Sequence, residues 1–494
     1  MKSLWCFLTA IIFVNFCSAG TPPLKNNTHV FISHFENVLG TSMELKVLTP
    51  SKTTADRNET LVLNEISRMS KILSAYDAQS EFSKWMNSSN TPVKVSAELF
   101  EVLQLFDEWR VRTGGALDAS AETIAQVWKK AAASKRIPTT EELNAALALV
   151  NQPHWKLDVT THTATHLSKA PLMLNSFVKS YIIKHAANMA MSMNNISAVV
   201  VNIGGDLVVL GNDNETVQIT NPKASAENDA PLDELCISNK AVATSGNYRR
   251  GELINGHWYS HIVDPRTGQP ADNIISATVV ANNATDAGAL ATAFNVMTVA
   301  ESVQLAATVA GAEYMIITKE GKRIESNGWN GLSIPAKKET VSNKGNEFEM
   351  LINLEIKAQQ GFAKRPYLAI WVEDENHAAV CTITVWHGSD KYMSDLKSWY
   401  LKNRTAYTTD NTFHTTVSGA TRSAGKYTIK WDGKDDKGNA LQAGKYTIKI
   451  EAAREHGTYQ LMRQDFMLNE TPQQFTLPEN AEIETVTIDY KKKS

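Results

Sequence analysis

The stretch AVVVNIGGDLVVL, Ala198 to Leu210, decides the fold class of the first part of the chain. Its β-branched and apolar residues read as a strand run. Gly204 and Gly205 interrupt it, and because glycine weakens a strand, such a pair marks a bulge or the close approach of a ligand or a neighbouring backbone. Working outward, TSMELKVL (Thr41–Leu48) also reads as a strand, while Leu61–Ser74 and Ser96–Arg112 carry apolar residues at helical spacing. Ala287–Ala310 is rich in small residues and is expected to form one helix packed close to another backbone. Residues 28–332 therefore read as an α+β domain of mixed sheets with packed helices.

The character of the chain changes after Leu332. Residues 333–348, centred on IPAKKETVSNKGNE, are polar and lack periodicity, which predicts an interdomain linker. Residues 349–490 carry short stretches rich in Tyr, Thr, Ile and Trp, as expected of a small all-β, sandwich-like domain. The heptapeptide AGKYTIK occurs at Ala424–Lys430 and again at Ala443–Lys449, with WDGKDDKGNALQ between the copies. Identical strands around Asp and Gly turn formers predict one hairpin. Asp432, Asp435 and Asp436 do not alternate as calcium-loop ligands do, so a plain turn is the reading.

At the N-terminus, Lys2 precedes an apolar run from Leu4 to Phe16, and Cys17-Ser18-Ala19 supplies small residues for a cut after Ala19. Residues 1–19 thus read as a cleaved signal peptide, and the mature chain as exported to the periplasmic side. Forty-nine Lys and Arg against 52 Asp and Glu give a net charge of −3 with no long basic block, so nothing points to a nucleic-acid partner. Past the signal, Cys236 and Cys381 remain, far apart and in different domains; two buried free thiols are expected rather than a bridge. His387, His414 and His456 lack the spacing of a metal site.

Four clusters in the first domain carry residues suited to chemistry. Thr113-Gly114-Gly115-Ala116-Leu117-Asp118 lets backbone approach a ligand, with an acid beside it. Asn202–Asp206 holds the glycine pair, and Ala243-Thr244-Ser245-Gly246-Asn247-Tyr248 sets small hydrogen-bonding residues before a turn. His261-Ile262-Val263-Asp264-Pro265-Arg266-Thr267-Gly268 combines a base, an acid, an anion-seeking guanidinium and a turn.

In this order the clusters resemble the FAD:protein FMN transferases, the ApbE-like flavin transferases, over roughly Gly40 to Leu332. Gly40–Met43 is similar to the family's opening strand, and Ser74-Ala75-Tyr76 with Ser80-Glu81 to its adenine-lining segment. Gly115–Asp118 resembles the family's Gly-Ala-Phe-Asp, LMLNSFVKSY (Leu172–Tyr181) its LDLGGIAKGY, and Ala289–Ala293 the start of its final helix.

The resemblance implies a magnesium-dependent enzyme that splits FAD, releases AMP and places FMN through a phosphodiester on a Thr or Ser hydroxyl. It implies acceptor apoproteins of respiratory electron-transfer complexes as partners. FAD would be held by Met43, Tyr76, Ala116, Leu117, Asp118, Met173, Lys179, Thr244, Ser245, Gly246, His261 and Arg266. His261 would be the catalytic base. Asp286, Thr292 and the backbone near Ser176 would hold the metal ion.

The chain departs from the pattern at Met173, where the family has Asp, at Asn175, Ser176 and Ser180, where it has Gly, and at Gly288. The family pairs an Asp with the Thr four residues later, so Gly288 stands in the acid's place and Asp286 is the nearest carboxylate. Asp286 can share a metal ion with Thr292 only if the helix begins between them. The same site would suit an FAD pyrophosphatase, or a flavin-binding protein without turnover. The second domain resembles a β domain found fused behind such transferases. Its Ser418-Gly419-Ala420-Thr421 resembles an acceptor segment, so Thr421 is a self-acceptor candidate if its hydroxyl is exposed on a turn.

Overall fold

The structure, a computed structural model, describes residues 28–248, 250–335, 347–358, 365–387, 390–409, 418–422, 424–454 and 457–493. The expected signal peptide, most of the expected linker, His414 and His456 lie outside these residues.

The first domain rests on an eight-stranded sheet whose neighbours are all antiparallel. Spatial order follows chain order: His29–Val38, Thr41–Thr49, Ala198–Ile203, Asp206–Gly211, Lys240–Gly246, Ile274–Ala281, Glu313–Thr318 and Arg323–Glu325. Six helices enter between the second and third strands: α1 (Lys52–Leu73), α2 (Glu81–Met86), α3 (Ala97–Arg112), α4 (Ala121–Ala133), α5 (Thr140–Val150) and α6 (Val178–Met191). Between the sixth and seventh come α7 (Ala284–Val296) and α8 (Val299–Ala306).

The unbroken apolar reading of Ala198–Leu210 follows from burial of the sheet on both faces. Val199 and Val201 join the core under α1, α6 and α7, whereas Val200, Leu207 and Val209 join a second core closed by Val217, Leu235 and Trp329. The stretch is not one strand but two. Gly204 and Gly205 take φ of +59° and +89°. Positive φ at both central positions is the geometry of a tight hairpin turn, and Ile203 pairs with Asp206 across it. The alanine-rich helix is likewise two. The Thr298 hydroxyl accepts from the Glu301 N–H, and the Glu301 carboxylate accepts from the Thr298 N–H, so a capping box starts α8. Cys236 and Cys381 are free, as expected, but Cys236 is exposed because its neighbours Leu235 and Ile237 take the inward positions of their strand.

The second domain is a sandwich of a four-stranded and a five-stranded sheet. The two AGKYTIK copies do not form one hairpin. Gly425–Trp431 belongs to the four-stranded sheet and Gly444–Ala453 to the five-stranded one. Ile429 and Ile448, the same position in the two copies, are each fully buried in the shared core, so the repeat supplies matching inner faces to opposite sheets. The intervening segment is tightened by Asp435, which accepts from the N–H groups of Lys437 and Asn439. A helix, α9 (Lys397–Thr409), covers the outer face of the five-stranded sheet through Trp399 against the Trp371 side.

Polar contacts join the domains. Glu36 accepts from the Thr421 hydroxyl at 2.5 Å and the Arg365 N–H at 3.0 Å, and Lys430 meets Asp229 at 2.7 Å. Thr421 is 3% exposed, so the condition for a self-acceptor fails: its hydroxyl is a buried interdomain donor.

A Cβ at Gly204 would lie 2.7 Å from Thr41 Cγ2, in addition to the left-handed backbone there. Gly204→Ala is expected to destabilise the first domain by about 1–3 kcal/mol, the combined cost of αL strain and crowding. Thermal denaturation checks this; an unchanged midpoint would contradict it.

Candidate active site

The motifs that are scattered in sequence meet at one end of the large sheet, where a chain of contacts links them. The turn Gly204-Gly205 ends there, beside the start of the Thr41–Thr49 strand, where the Gly204 N–H donates to the Ser42 carbonyl at 3.0 Å. Asp206, 8% exposed, collects the neighbours of this turn. Its Oδ2 accepts from Lys179 Nζ at 3.1 Å and from Ser180 Oγ at 3.1 Å, and its Oδ1 lies 3.4 Å from the Thr244 N–H. Lys179 Nζ also reaches the Gly204 carbonyl at 3.4 Å. Because Lys179 and Ser180 lie in the first turn of α6, Asp206 fixes that helix to the sheet.

From the segment leading into α6 the contacts run in three directions. Asn175 Nδ2 donates to the Tyr76 hydroxyl at 2.7 Å; Tyr76 is 77% exposed, an aromatic face presented to solvent beside the site. Thr292 Oγ1, on α7, donates to the Ser176 carbonyl at 2.7 Å. The Met173 N–H donates to the Ala119 carbonyl at 2.8 Å, which ties the LMLNSF segment to the GGALD turn. In that turn Gly114 and Gly115 take positive φ, and Ala116 and Leu117 are buried. Met43 is buried in the core rather than displayed at the site.

The Asp118 carboxylate is taken up locally: it meets Arg110 Nε at 2.5 Å and accepts from the Ser120 N–H at 2.7 Å and hydroxyl at 2.6 Å. It therefore shapes the turn before α4. Arg266 is similarly engaged. Its guanidinium forks onto Asp264 at 2.9 Å and reaches Glu301 of α8 at 2.9 Å, while its stem faces Gly115, where a Cβ would lie 3.6 Å from Cγ. That distance is ordinary contact, so what favours glycine at 115 is its φ of +87° and not lack of space.

The TSGNY and HIVDPRTG motifs meet through Asn247. Its Nδ2 donates to the Ala271 carbonyl at 3.0 Å, and its carbonyl accepts from Trp258 Nε1 at 3.2 Å. The loop bearing His261 is closed by the Ala271 N–H on the Ile262 carbonyl and by Trp128 Nε1 on the Gly268 carbonyl. His261 Nδ1 lies 3.0 Å from the Arg250 carbonyl, an acceptor, so Nδ1 carries the proton and Nε2 of the neutral ring is free of one. Desolvation by the surrounding protein pushes this imidazole below its ordinary value, opposed by the bond to the Arg250 carbonyl and helped by the Arg250 charge. His261 as a residue remains exposed. It is thus held as an unprotonated base near neutral pH.

The expected metal ligands divide. Thr292 and the Ser176 carbonyl are brought together, but Asp286 is not with them. The helix α7 begins at Ala284, so Asp286 lies within its first turn, and six residues of α-helix set Asp286 and Thr292 roughly 120° apart around the axis and about 9 Å apart along it. The charges nearest Asp286 are Arg112, Lys184 and Glu108, and burial raises its carboxyl above the ordinary range. The position one turn before Thr292 is Gly288, where a Cβ would lie 2.4 Å from Ser180 Oγ. Among the described residues no cluster of three or more His, Cys, Asp or Glu forms a metal-holding group. Magnesium is held through one or two carboxylates, and these residues do not supply one beside Thr292 and Ser176.

Sequence reading missed Asp206 as a site residue, although it stood beside the glycine pair, and it missed Arg110 and Arg250, whose roles follow from tertiary placement alone. A cavity of about 410 Å³ lies between the domains, lined by Ser42, Arg365, Thr421 and Arg422.

Comparison with known proteins falls on the same residues. Residues 39–316 match the ApbE family, and residues 349–485 match a family described as predicted periplasmic protein (DUF2271). The FAD:protein FMN transferase of Vibrio cholerae is 27% identical over 266 residues, 52% of this chain and 79% of that protein. That of Haemophilus influenzae is 28% identical over 304 residues, 58% and 86% of the two chains. The crystal structure of the ApbE protein from Thermotoga maritima superposes with a TM-score of 0.54 at 25% identity, covering 62% of this chain and all of that one.

The placement of the two carboxylates gives a direct prediction. Asp286→Asn should leave FAD affinity within about twofold, whereas Asp206→Asn should weaken it at least about tenfold, or 1.4 kcal/mol, by releasing Lys179 and Ser180. Flavin-fluorescence titration checks both; the reverse order would contradict the geometry.

Proposed function

The chain belongs to the ApbE family and is a flavin transferase of that family, and from this we propose that it moves FMN from FAD to a Thr or Ser hydroxyl of an acceptor protein, releasing AMP. The observation that carries the reading is the linked set of motifs around Asp206, with an unprotonated imidazole on the adjoining loop.

In this reading Lys179 faces the pyrophosphate of FAD and meets its charge. Tyr76 offers its ring to the adenosine. His261 Nε2 takes the proton of the acceptor hydroxyl as that oxygen attacks the phosphorus of the FMN half. The bond from that phosphorus to the bridging oxygen breaks, and AMP leaves with it. The GGALD turn and the Thr244–Gly246 segment bring backbone close to the flavin nucleotide, and Arg266 holds the His261 loop against α8. The magnesium ion implied by family resemblance would find two oxygens here, Thr292 Oγ1 and the Ser176 carbonyl, without a carboxylate beside them.

The acceptors are proposed to be apoproteins of electron-transfer complexes on the periplasmic side. One observation supports that side: the second domain matches a family described as predicted periplasmic protein.

The test is incubation of purified protein with FAD and Thr-bearing acceptor proteins, read by flavin fluorescence on a denaturing gel and by AMP release. A fluorescent band with stoichiometric AMP is expected. FMN and AMP released to water alone would make the chain an FAD pyrophosphatase, and binding without cleavage would leave it a flavin-binding protein.

His261→Ala should slow transfer by about 10²–10⁴-fold with little change in FAD affinity, since a base acts in the transition state. Because desolvation holds the folded imidazole below its ordinary value, the acid limb of the transfer rate should lie below pH 6.5. A pH–rate profile checks this; an acid limb above 6.5, or one that persists in His261→Ala, would contradict it.

A further inference from the structure

We infer that this chain binds the pyrophosphate of its flavin nucleotide without a divalent metal ion, with the Lys179 ammonium as the cation and with Ser180 filling the space that a metal-binding carboxylate on α7 would need. The inference rests on the flavin-nucleotide reading of the site.

The structure bears on it at three points. At Gly288, one turn before Thr292, a Cβ would meet Ser180 Oγ at 2.4 Å and Ser180 Cβ at 2.9 Å, with Phe177 Cα at 3.5 Å behind them. Contacts below 3 Å against a packed side chain leave no room for an Asp there while Ser180 is present. Ser180 is 2% exposed and its hydroxyl donates to Asp206 Oδ2, so swinging away would give up a buried hydrogen bond and leave Lys179 alone on that oxygen. Residues 180 and 288 therefore act as a pair: a hydroxymethyl on α6 occupies the gap left by the hydrogen on α7.

The remaining carboxylate, Asp206, is committed. It already holds Lys179 at 3.1 Å, Ser180 at 3.1 Å and the Thr244 N–H at 3.4 Å. An Asp with an ammonium on it is a poor metal ligand, because the incoming cation would have to displace a like charge. What the arrangement offers an anion is the ammonium itself. Lys179 is 32% exposed in its side chain, and its known acceptors, Asp206 Oδ2 and the Gly204 carbonyl, leave one of its three donors for a phosphate oxygen. Thr292 Oγ1 and the Ser176 carbonyl satisfy each other at 2.7 Å and need no ion between them.

The experiment measures FAD affinity of the full chain by quenching of flavin fluorescence, in excess EDTA and in excess magnesium. For the wild type the two affinities should agree within about twofold, and Lys179→Gln should lose at least about tenfold in both, or 1.4 kcal/mol. The double variant Ser180→Gly/Gly288→Asp should acquire magnesium dependence, binding at least about tenfold tighter with the ion than without it. Wild-type affinity that rises tenfold or more with magnesium would overturn the inference and leave the flavin reading intact. No FAD binding in either buffer would overturn the flavin reading itself, and the inference with it. A folded double variant indifferent to magnesium would overturn the pairing of residues 180 and 288.

Discussion

A single buried carboxylate, Asp206, holds the candidate active site together. It stands at the first position after a two-glycine turn, where the sheet ends and α6 begins to cross it. An ionised acid in such a place must be met by donors, and it is met from two elements at once: the ammonium and hydroxyl of Lys179 and Ser180 on α6, and the backbone N–H of Thr244 on the neighbouring strand. That demand fixes the entry of α6 against the sheet. Asn175 and Ser176 precede the same turn, and through them it is bonded to Tyr76 and to Thr292 of α7.

Around α7 the packing is decided by residues 180 and 288 together. A Cβ at Gly288 would lie 2.4 Å from Ser180 Oγ, so the hydroxymethyl on α6 fits only because α7 carries a hydrogen there. The helix is buried nearly all round, with Ala287 and Ala291 on one side and Ala289 and Ala293 on the other, and these small side chains let α6 and the sheet pack close to it.

Much of the fold was legible in the sequence, because alternation in Thr41–Leu48 and helical spacing in Leu61–Ser74 and Ser96–Arg112 report burial of one face. What failed were decisions that periodicity does not encode. Ala198–Leu210 is apolar throughout because both sheet faces are covered, so the hairpin turn inside it was masked by its own strands. The identical AGKYTIK strands suggested a hairpin, yet pairing partners are set by the whole sandwich, and the copies went to opposite sheets. At the site, the motifs themselves were visible, including Lys179, His261 and Thr292. Their division of labour was not: Asp118 and Arg266 are consumed by Arg110, Ser120, Asp264 and Glu301, and Asp286 stands about 120° round from Thr292 on a helix that starts two residues before it.

The central claim is that the flavin nucleotide lies along the motifs gathered by Asp206. A crystal structure of the full chain soaked with FAD in the presence of a chelator tests it most directly. The account predicts pyrophosphate oxygens within hydrogen-bonding distance of Lys179 Nζ, the adenosine against Tyr76, and His261 Nε2 facing the phosphorus of the FMN half. FAD seated instead in the cavity of about 410 Å³ between the domains, against Arg365 and Arg422, would contradict it.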